Sequence, residues 1–203
     1  DQDSIASIEL YNSTIFSNSA KAIRTGGTIG GAILNGANYS ATAFITLTNI
    51  TISSNSSDDY AGAIFNTSSN ESYANVKLNN VTLVNNMALN EGGGIYNNND
   101  SNGLAHISMQ NSIVANNQSN TFQDCFNEEG NFISLGYNLV GENTGCPVLP
   151  SDFVTNDPTK DFNLQLDNNG GDTLTHALIY NGQAIDSGHD STCAEIDQRG
   201  IQR

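Results

Sequence analysis

The stretch EGGGIYNNND, Glu91–Asp100, sets three glycines before Ile95 and Tyr96 and follows them with turn-favouring residues. It has counterparts upstream. GAILN begins at Gly31, GAIFN at Gly62 and GGIYN at Gly93, each 31 residues from the next. A second series runs through NSTIFSNSA from Asn12, NITISSNSS from Asn49, NVTLVNNMA from Asn80 and NSIVANNQS from Asn111, in steps of 37, 31 and 31. The six extra residues fall between Asn18 and Gly31, within SAKAIRTGGTIGG, and read as one loop inserted in a regular array.

A fixed period of this length marks a repeat architecture. Within each unit apolar residues alternate with polar ones: Ile8 and Leu10, Ile45 and Leu47, Val76 and Leu78, Ile107 and Met109. Period two is the period of a strand. Each unit therefore predicts three short strands, of the Gly-Ala-Ile, Ile-x-Leu and Thr-Ile types, each ending on Asn. One unit cannot bury its apolar face alone, whereas stacked units bury it jointly, their strands pairing in parallel at about 4.8 Å. Ile15, Ile52, Leu83 and Val114 then form one interior column. Asn recurs at the corners as Asn35, Asn66 and Asn97, as Asn49, Asn80 and Asn111, and as Asn18, Asn55, Asn86 and Asn117. Asn tolerates the left-handed backbone of a sharp corner, stacked amides bond from turn to turn, and the glycine before each Ile is expected at positive φ. The predicted fold is all-β, a parallel β-helix of about four turns with a 31-residue repeat. Residues 1–203 form a single domain, with regular coils over 1–119 and an irregular, disulfide-bearing C-terminal cap over 120–203. A β-sandwich would need three columns to share one register by coincidence.

Composition narrows the function. Six Lys and Arg stand against 21 Asp and Glu, a formal charge of −15. That balance opposes nucleic-acid binding, which draws on clustered cations, and disfavours anionic membranes and polyanionic sugars. No run of 18 apolar residues is present to cross a bilayer. The start at Asp1, with neither Met nor an apolar leader, suits a processed export product or an excised fragment. Cys125, Cys146 and Cys193 lack zinc-ligand spacing. A Cys125–Cys146 disulfide is expected, because the intervening loop is turn-rich and poor in apolar residues; closing it contributes roughly 3 kcal/mol in the chain-entropy model. Cys193 is then free or pairs between chains. Asn-x-Ser/Thr sequons are many, for example Asn12, Asn49, Asn66 and Asn80, but a composition this rich in Asn, Ser and Thr supplies roughly six by chance, so they are weak evidence for glycosylation.

GGAI at Gly30–Ile33 and FSNSA from Phe16 resemble the short motifs of polymorphic outer membrane proteins and other secreted pectin-lyase-like β-helices. In the C-terminal half, NSIVANN, DC, LGYNLVG, DNNGGDTLTHAL, AIDSG and DQRGIQR follow in the order of the choice-of-anchor Q domain, a bacterial surface-protein module. The resemblance spans the chain and is specific over 107–203. The chain departs from the pattern in FNLQL, where Leu-Gly-Pro is usual, at Asp172, where Pro is common, and in NGQAIDSG, which lacks Ser-Pro. The resemblance implies a right-handed coil, export and a cell-surface anchor beyond the module; it implies no particular activity.

Pectin-lyase-like coils include lyases and hydrolases, which need cations and a base, or paired carboxylates. The cations of the coils are Lys21, Arg24 and Lys77, and the adjacent carboxylates, Asp58 and Asp59, lie in the turn-like NSSDDYAG. His106 is expected to face solvent and His176 to be a partly buried strand residue, while His189 has Asp186 and Asp190 nearby. None stands with a Ser or Cys in a recognisable nucleophile context. Asp167, Asn169 and Asp172 offer oxygen ligands for calcium around a glycine turn, without the later Glu of an EF-hand, and turn chemistry explains them better. Leu34, Phe65 and Tyr96 directly follow Ile33, Ile64 and Ile95, so one of the two apolar columns leaves the interior. Either a loop or the tail covers it, or it is an interface for another subunit or partner. Thr14, Thr51 and Thr82 form an outward ladder that Ile113 interrupts.

The expected role is non-enzymatic: an extracellular or cell-surface protein, adhesive or structural, partnered by itself or by a matrix glycan or protein. The alternative is a carbohydrate-active enzyme or a carbohydrate-binding relative of one. The first turn begins in strand pattern within DQDSIASIELYN, which suggests an open end and head-to-tail assembly into filaments; a fragment boundary or an absent capping segment accounts for the same feature.

Overall fold

The computed structural model describes residues 3–21 and 29–203; residues 22–28, which hold Arg24 and most of the inserted loop, lie outside the described set. Strand accounts for 47% and helix for 2% of the chain, in parallel stacked sheets, the arrangement of a parallel β-helix. The first turn contributes β1 (Ile5–Phe16) and β2 (Ser19–Ala20). The second contributes β3 (Ile33–Ala37), β4 (Thr42–Ser53) and β5 (Ser56–Ser57), and the third β6 (Ile64–Ser68), β7 (Tyr73–Val84) and β8 (Met87–Ala88). The fourth holds β9 (Ile95–Asn99), β10 (Leu104–Gln110) and β11 (Ile113–Ala115).

Register follows the repeat. Ile33 pairs with Ile64, Ile64 with Ile95, and Ile45 with Val76, all offset by 31 residues. Ile8 pairs with Ile45 and Ile15 with Ile52, offset by 37, as the insertion requires. The strand count per turn differs from expectation. The Ile-x-Leu and Thr-Ile segments are one bent strand of 12 residues in β1, β4 and β7. The bends fall at Asn12, Asn49 and Asn80, whose φ values are 49°, 55° and 54°. A left-handed residue resets the in-out alternation, so Leu47 and Ile50 both enter the core despite their odd spacing. Sheet three is instead made of the two-residue strands β2, β5 and β8.

The other two Asn columns are not themselves left-handed; Ser17, Ser54, Asn85 and Asn116, one residue earlier, carry the positive φ at their corner. The amides turn inward and bond along the axis. Asn18 Nδ2 donates to Asn55 Oδ1, Asn55 to Asn86 and Asn86 to Asn117, each at 2.9 Å. Asn35 donates to Asn66 at 2.8 Å, and Asn66 to Asn97 and Asn97 to Asn127 at 2.7 Å. Gly31, Gly62 and Gly93 also differ from expectation. Positive φ falls one residue earlier, at Gly30, Ala61 and Gly92. The repeated glycine is required by close approach: a Cβ on Gly62 would lie 2.3 Å from the Gly93 carbonyl oxygen.

Parallel pairing continues beyond residue 119. Three short strands, β12 (Cys125–Glu128), β13 (Asn131–Ser134) and β14 (Leu139–Val140), pair with β9, β10 and β11, and β15 (Phe153–Val154) pairs with β14. Cys125 takes the place of Ile95 in its column and is bonded to Cys146, as expected, across a sequence separation of 21. Both cysteines are buried in the main core and cover its C-terminal end. The remaining segment contains one 3₁₀ turn (Pro158–Lys160) and runs back along the outer side of the large sheet, not across the end of the stack. Phe162, Leu164 and Ala184 pack there on Val84, Ile113, Ala115, Leu139 and Phe153.

Candidate functional site beneath the C-terminal segment

The outward amides of the bends fasten this segment. His189 N–H donates to Asn111 Oδ1 at 2.9 Å, Ala194 N–H to Asn80 Oδ1 at 3.0 Å, and Asn49 Nδ2 to the Ile196 carbonyl at 2.9 Å. One residue of the tail thus meets each turn in succession. Gln198 closes the series: its Oε1 accepts from Thr51 Oγ1 at 2.7 Å, and its Nε2 donates to Thr14 Oγ1 at 3.0 Å and Thr173 Oγ1 at 2.9 Å. The threonine ladder is therefore the floor beneath a covering segment rather than a solvated face, and Thr51 is buried.

Between floor and cover lies a groove of about 1260 Å³. Thr82, Asn111 and Ile113 line its floor, with Tyr137, Asp186 and Cys193 among its walls. The histidines do not meet in it. His176 is buried, its Nδ1 donating to the Asn163 carbonyl at 2.8 Å and its Nε2 accepting from Ser53 Oγ at 3.0 Å. Burial lowers its pKa, so the ring is a neutral strut between tail and sheet. His189 meets Ser191 Oγ at 2.9 Å through Nδ1 and packs edge-on against Tyr137, rather than bonding Asp186 or Asp190. His106 lies beside Asn131, its pKa lowered by partial burial and by Lys77.

The other candidate residues are held in turns or stacks. Asp59 accepts from Asn90 Nδ2 at 2.5 Å. Asp167 accepts from Asn168 N–H at 2.7 Å, and Asn169 directs its amide donor to the Thr175 carbonyl at 2.9 Å, an arrangement that organises the glycine turn. Among the described residues no group of three or more His, Cys, Asp or Glu is placed to hold a metal ion. Of the outward apolar column, Leu34 is 52% exposed, whereas Phe65 and Tyr96 are 5% and 4% exposed. Phe65 and Tyr96 stack at 5.1 Å, Tyr60 and Phe126 pack on Tyr96, and the Tyr96 hydroxyl donates to Glu128. Burial, then Glu128, pushes the Tyr96 phenol pKa well up. As an interface this column offers Leu34 alone.

Sequence reasoning missed the two carboxylates that end the polar ladders. Asp124 Oδ1 accepts from Asn117 Nδ2 at 2.8 Å and from Asn117 N–H at 3.0 Å, while Oδ2 accepts from Glu142 N–H at 2.7 Å. Burial raises its pKa from 3.8 to about 6. Asp152 likewise accepts from Asn138 N–H at 2.8 Å, and Asn138 Oδ1 in turn accepts from Ser112 N–H at 3.0 Å. An acceptor-only side chain suits the last rung of a ladder whose amides all donate in one direction. The spacing gave no signal, because Asp124 follows Asn117 by seven residues. Comparison with known proteins finds no matching family model, curated protein or solved structure.

Proposed function

We propose that this chain is a non-enzymatic, exported surface or extracellular-matrix protein with an adhesive or structural role. The amide ladders carry the reading. Buried amides tie each turn to the next along the axis and bend amides hold the C-terminal segment, cross-ties that favour a stiff rod. The Cys125–Cys146 bond suits an oxidising compartment, and the resemblance of the C-terminal motifs to the choice-of-anchor Q domain accords with display at a surface. The test pairs retention of the pure protein on immobilised matrix proteins, glycans and cells with assays for new reducing ends and unsaturated uronates. Retention without turnover supports the reading, and catalytic release of product refutes it.

One observation favours a second reading, carbohydrate binding without catalysis. The groove sets amide and hydroxyl groups beside an aromatic ring, Tyr137, a lining suited to neutral sugars. Titration with neutral oligosaccharides, repeated on Tyr137→Ala, separates the two: loss of binding in the variant favours the groove, and unchanged binding places adhesion elsewhere.

A further inference from the structure

Charge divides the groove beneath the C-terminal segment along its length. The tail is fastened in the order Asn111, Asn80, Asn49, so Asp186 and Asp190, either side of His189 in the chain, belong to the fourth turn, and Arg203 reaches the second. Arg199 and Arg203 are the basic residues of the lining, and both are committed: Arg199 Nη2 lies 2.7 Å from Asp197 Oδ2, and Arg203 Nη2 donates to Asn49 Oδ1 at 3.3 Å. Among the described residues the other ion pair, Lys160 with Asp157, lies outside the groove. Asp186, Asp190 and Glu195 therefore stand exposed at the groove with no cation against them.

A neutral, ring-shaped contact adjoins the acidic end. Tyr137 forms the wall there, with φ of 62° directly after Gly136 at 94°. A bulky residue seldom adopts that backbone, and such strain persists where the surroundings hold it, often at ligand sites. The ring is 36% exposed and packs edge-on against His189, with centroids 4.7 Å apart. Among the described residues the hydroxyls of Tyr137 and of Thr82 in the floor make no hydrogen bond. A groove of about 1260 Å³ has room for an oligomer rather than one small ring.

We propose that this groove takes an oligomer of an amino sugar, its rings against Tyr137 and its ammonium groups towards Asp186 and Asp190. The proposal rests on the carbohydrate-binding reading above and names the sugar class. A uronate is repelled by the same carboxylates. A neutral sugar keeps the ring contact and the hydroxyl partners but leaves the carboxylates uncompensated. A lysine-rich peptide brings the charge without a rigid ring to lie on Tyr137.

Calorimetric titration with glucosamine oligomers and with their fully N-acetylated counterparts tests this, since acetylation removes the charge and keeps the sugar chain. The amine form is expected to bind about fivefold more tightly at about 0.02 M salt, the ratio falling towards one at about 1 M. Asp186→Asn with Asp190→Asn is expected to abolish that preference, and Asn tolerates the left-handed backbone of position 186, where φ is 53°. Glu71→Gln with Asp100→Asn makes the same charge change at exposed corners outside the groove and is expected to retain it. Tyr137→Ala is expected to weaken both oligomers. Equal affinity of the parent chain for the two oligomers overturns the proposal alone, provided that Tyr137→Ala still weakens them. Should Tyr137→Ala weaken neither, the proposal and the carbohydrate reading of the groove both fall. Equal losses in the two charge variants, or oligolysine of matched length binding as tightly as the glucosamine oligomer, would assign the effect to charge alone and overturn the proposal.

Discussion

Leu78 and Thr82 stand four residues apart on β7 and face opposite environments. Leu78 is 2% exposed within the main core, while Thr82 lines the groove. Leu78→Asp is expected to cost about 4 kcal/mol or more by burying an unpaired charge, and Thr82→Asp about 1 kcal/mol. Urea-unfolding midpoints check this, and equal losses would contradict the register. Asp124 predicts a pH dependence. Its folded-state pKa, about 6, lies above the ordinary 3.8, so the folded chain holds the proton more tightly than the unfolded chain. The resulting stability is complete below about pH 3.8 and is lost as pH rises through about 6, a change on the order of 3 kcal/mol. Asp124→Asn removes that step. It also sets an amide against a backbone donor, at a cost of about 1–3 kcal/mol. The difference between the two proteins, followed from pH 3 to 8 by denaturant unfolding, isolates this group from the remaining acidic residues.

Turns lie so close together at the glycine corner that a single methyl cannot enter. Gly62→Ala would place its Cβ 2.3 Å from the Gly93 oxygen and 2.4 Å from Met87 N, both backbone atoms. A loss of about 3 kcal/mol is expected. Gly36→Ala is the matched control, since its Cβ would meet only Thr67 Cγ2, at 3.7 Å. That change is expected to be neutral or to stabilise by about 0.5 kcal/mol, and thermal midpoints distinguish the pair. At the C-terminal end, Cys125→Ser with Cys146→Ser opens the loop that covers the core. The double variant is expected to lose about 3 kcal/mol, with a matching loss on reduction of the parent chain.

At the scale of the molecule, the C-terminal segment acts as a lateral cover. It seals the outer face at Val84, Ala115 and Leu139 with Phe162 and is fastened at Asn111, Asn80 and Asn49. A chain ending at Lys160 is expected to keep the far-ultraviolet signature of its strands, because the turn-to-turn pairing does not pass through the removed residues. It is expected to bind a hydrophobic dye several-fold more strongly, since an apolar sheet face is uncovered. Loss of the strand signal would show instead that the segment is integral to the coil.

The repeat, the strand register and the interior columns were legible in the sequence because stacking makes each turn sample the same environment, so the same residues recur at 31-residue spacing. The Cys125–Cys146 bond was legible from the loop it closes. The tertiary structure alone decided where non-repeating residues go. The path of residues 155–203 depends on hydrogen bonds to the coil that span 78–185 residues of chain, and no local pattern encodes them beyond Ile113 breaking the threonine ladder. The burial of Phe65 and Tyr96 depends on neighbouring turns bringing Tyr60 and Phe126 against them. The ends of the ladders depend on it too, because Asp124 and Asp152 lie where the repeat has shortened and sequence spacing no longer reports position in space.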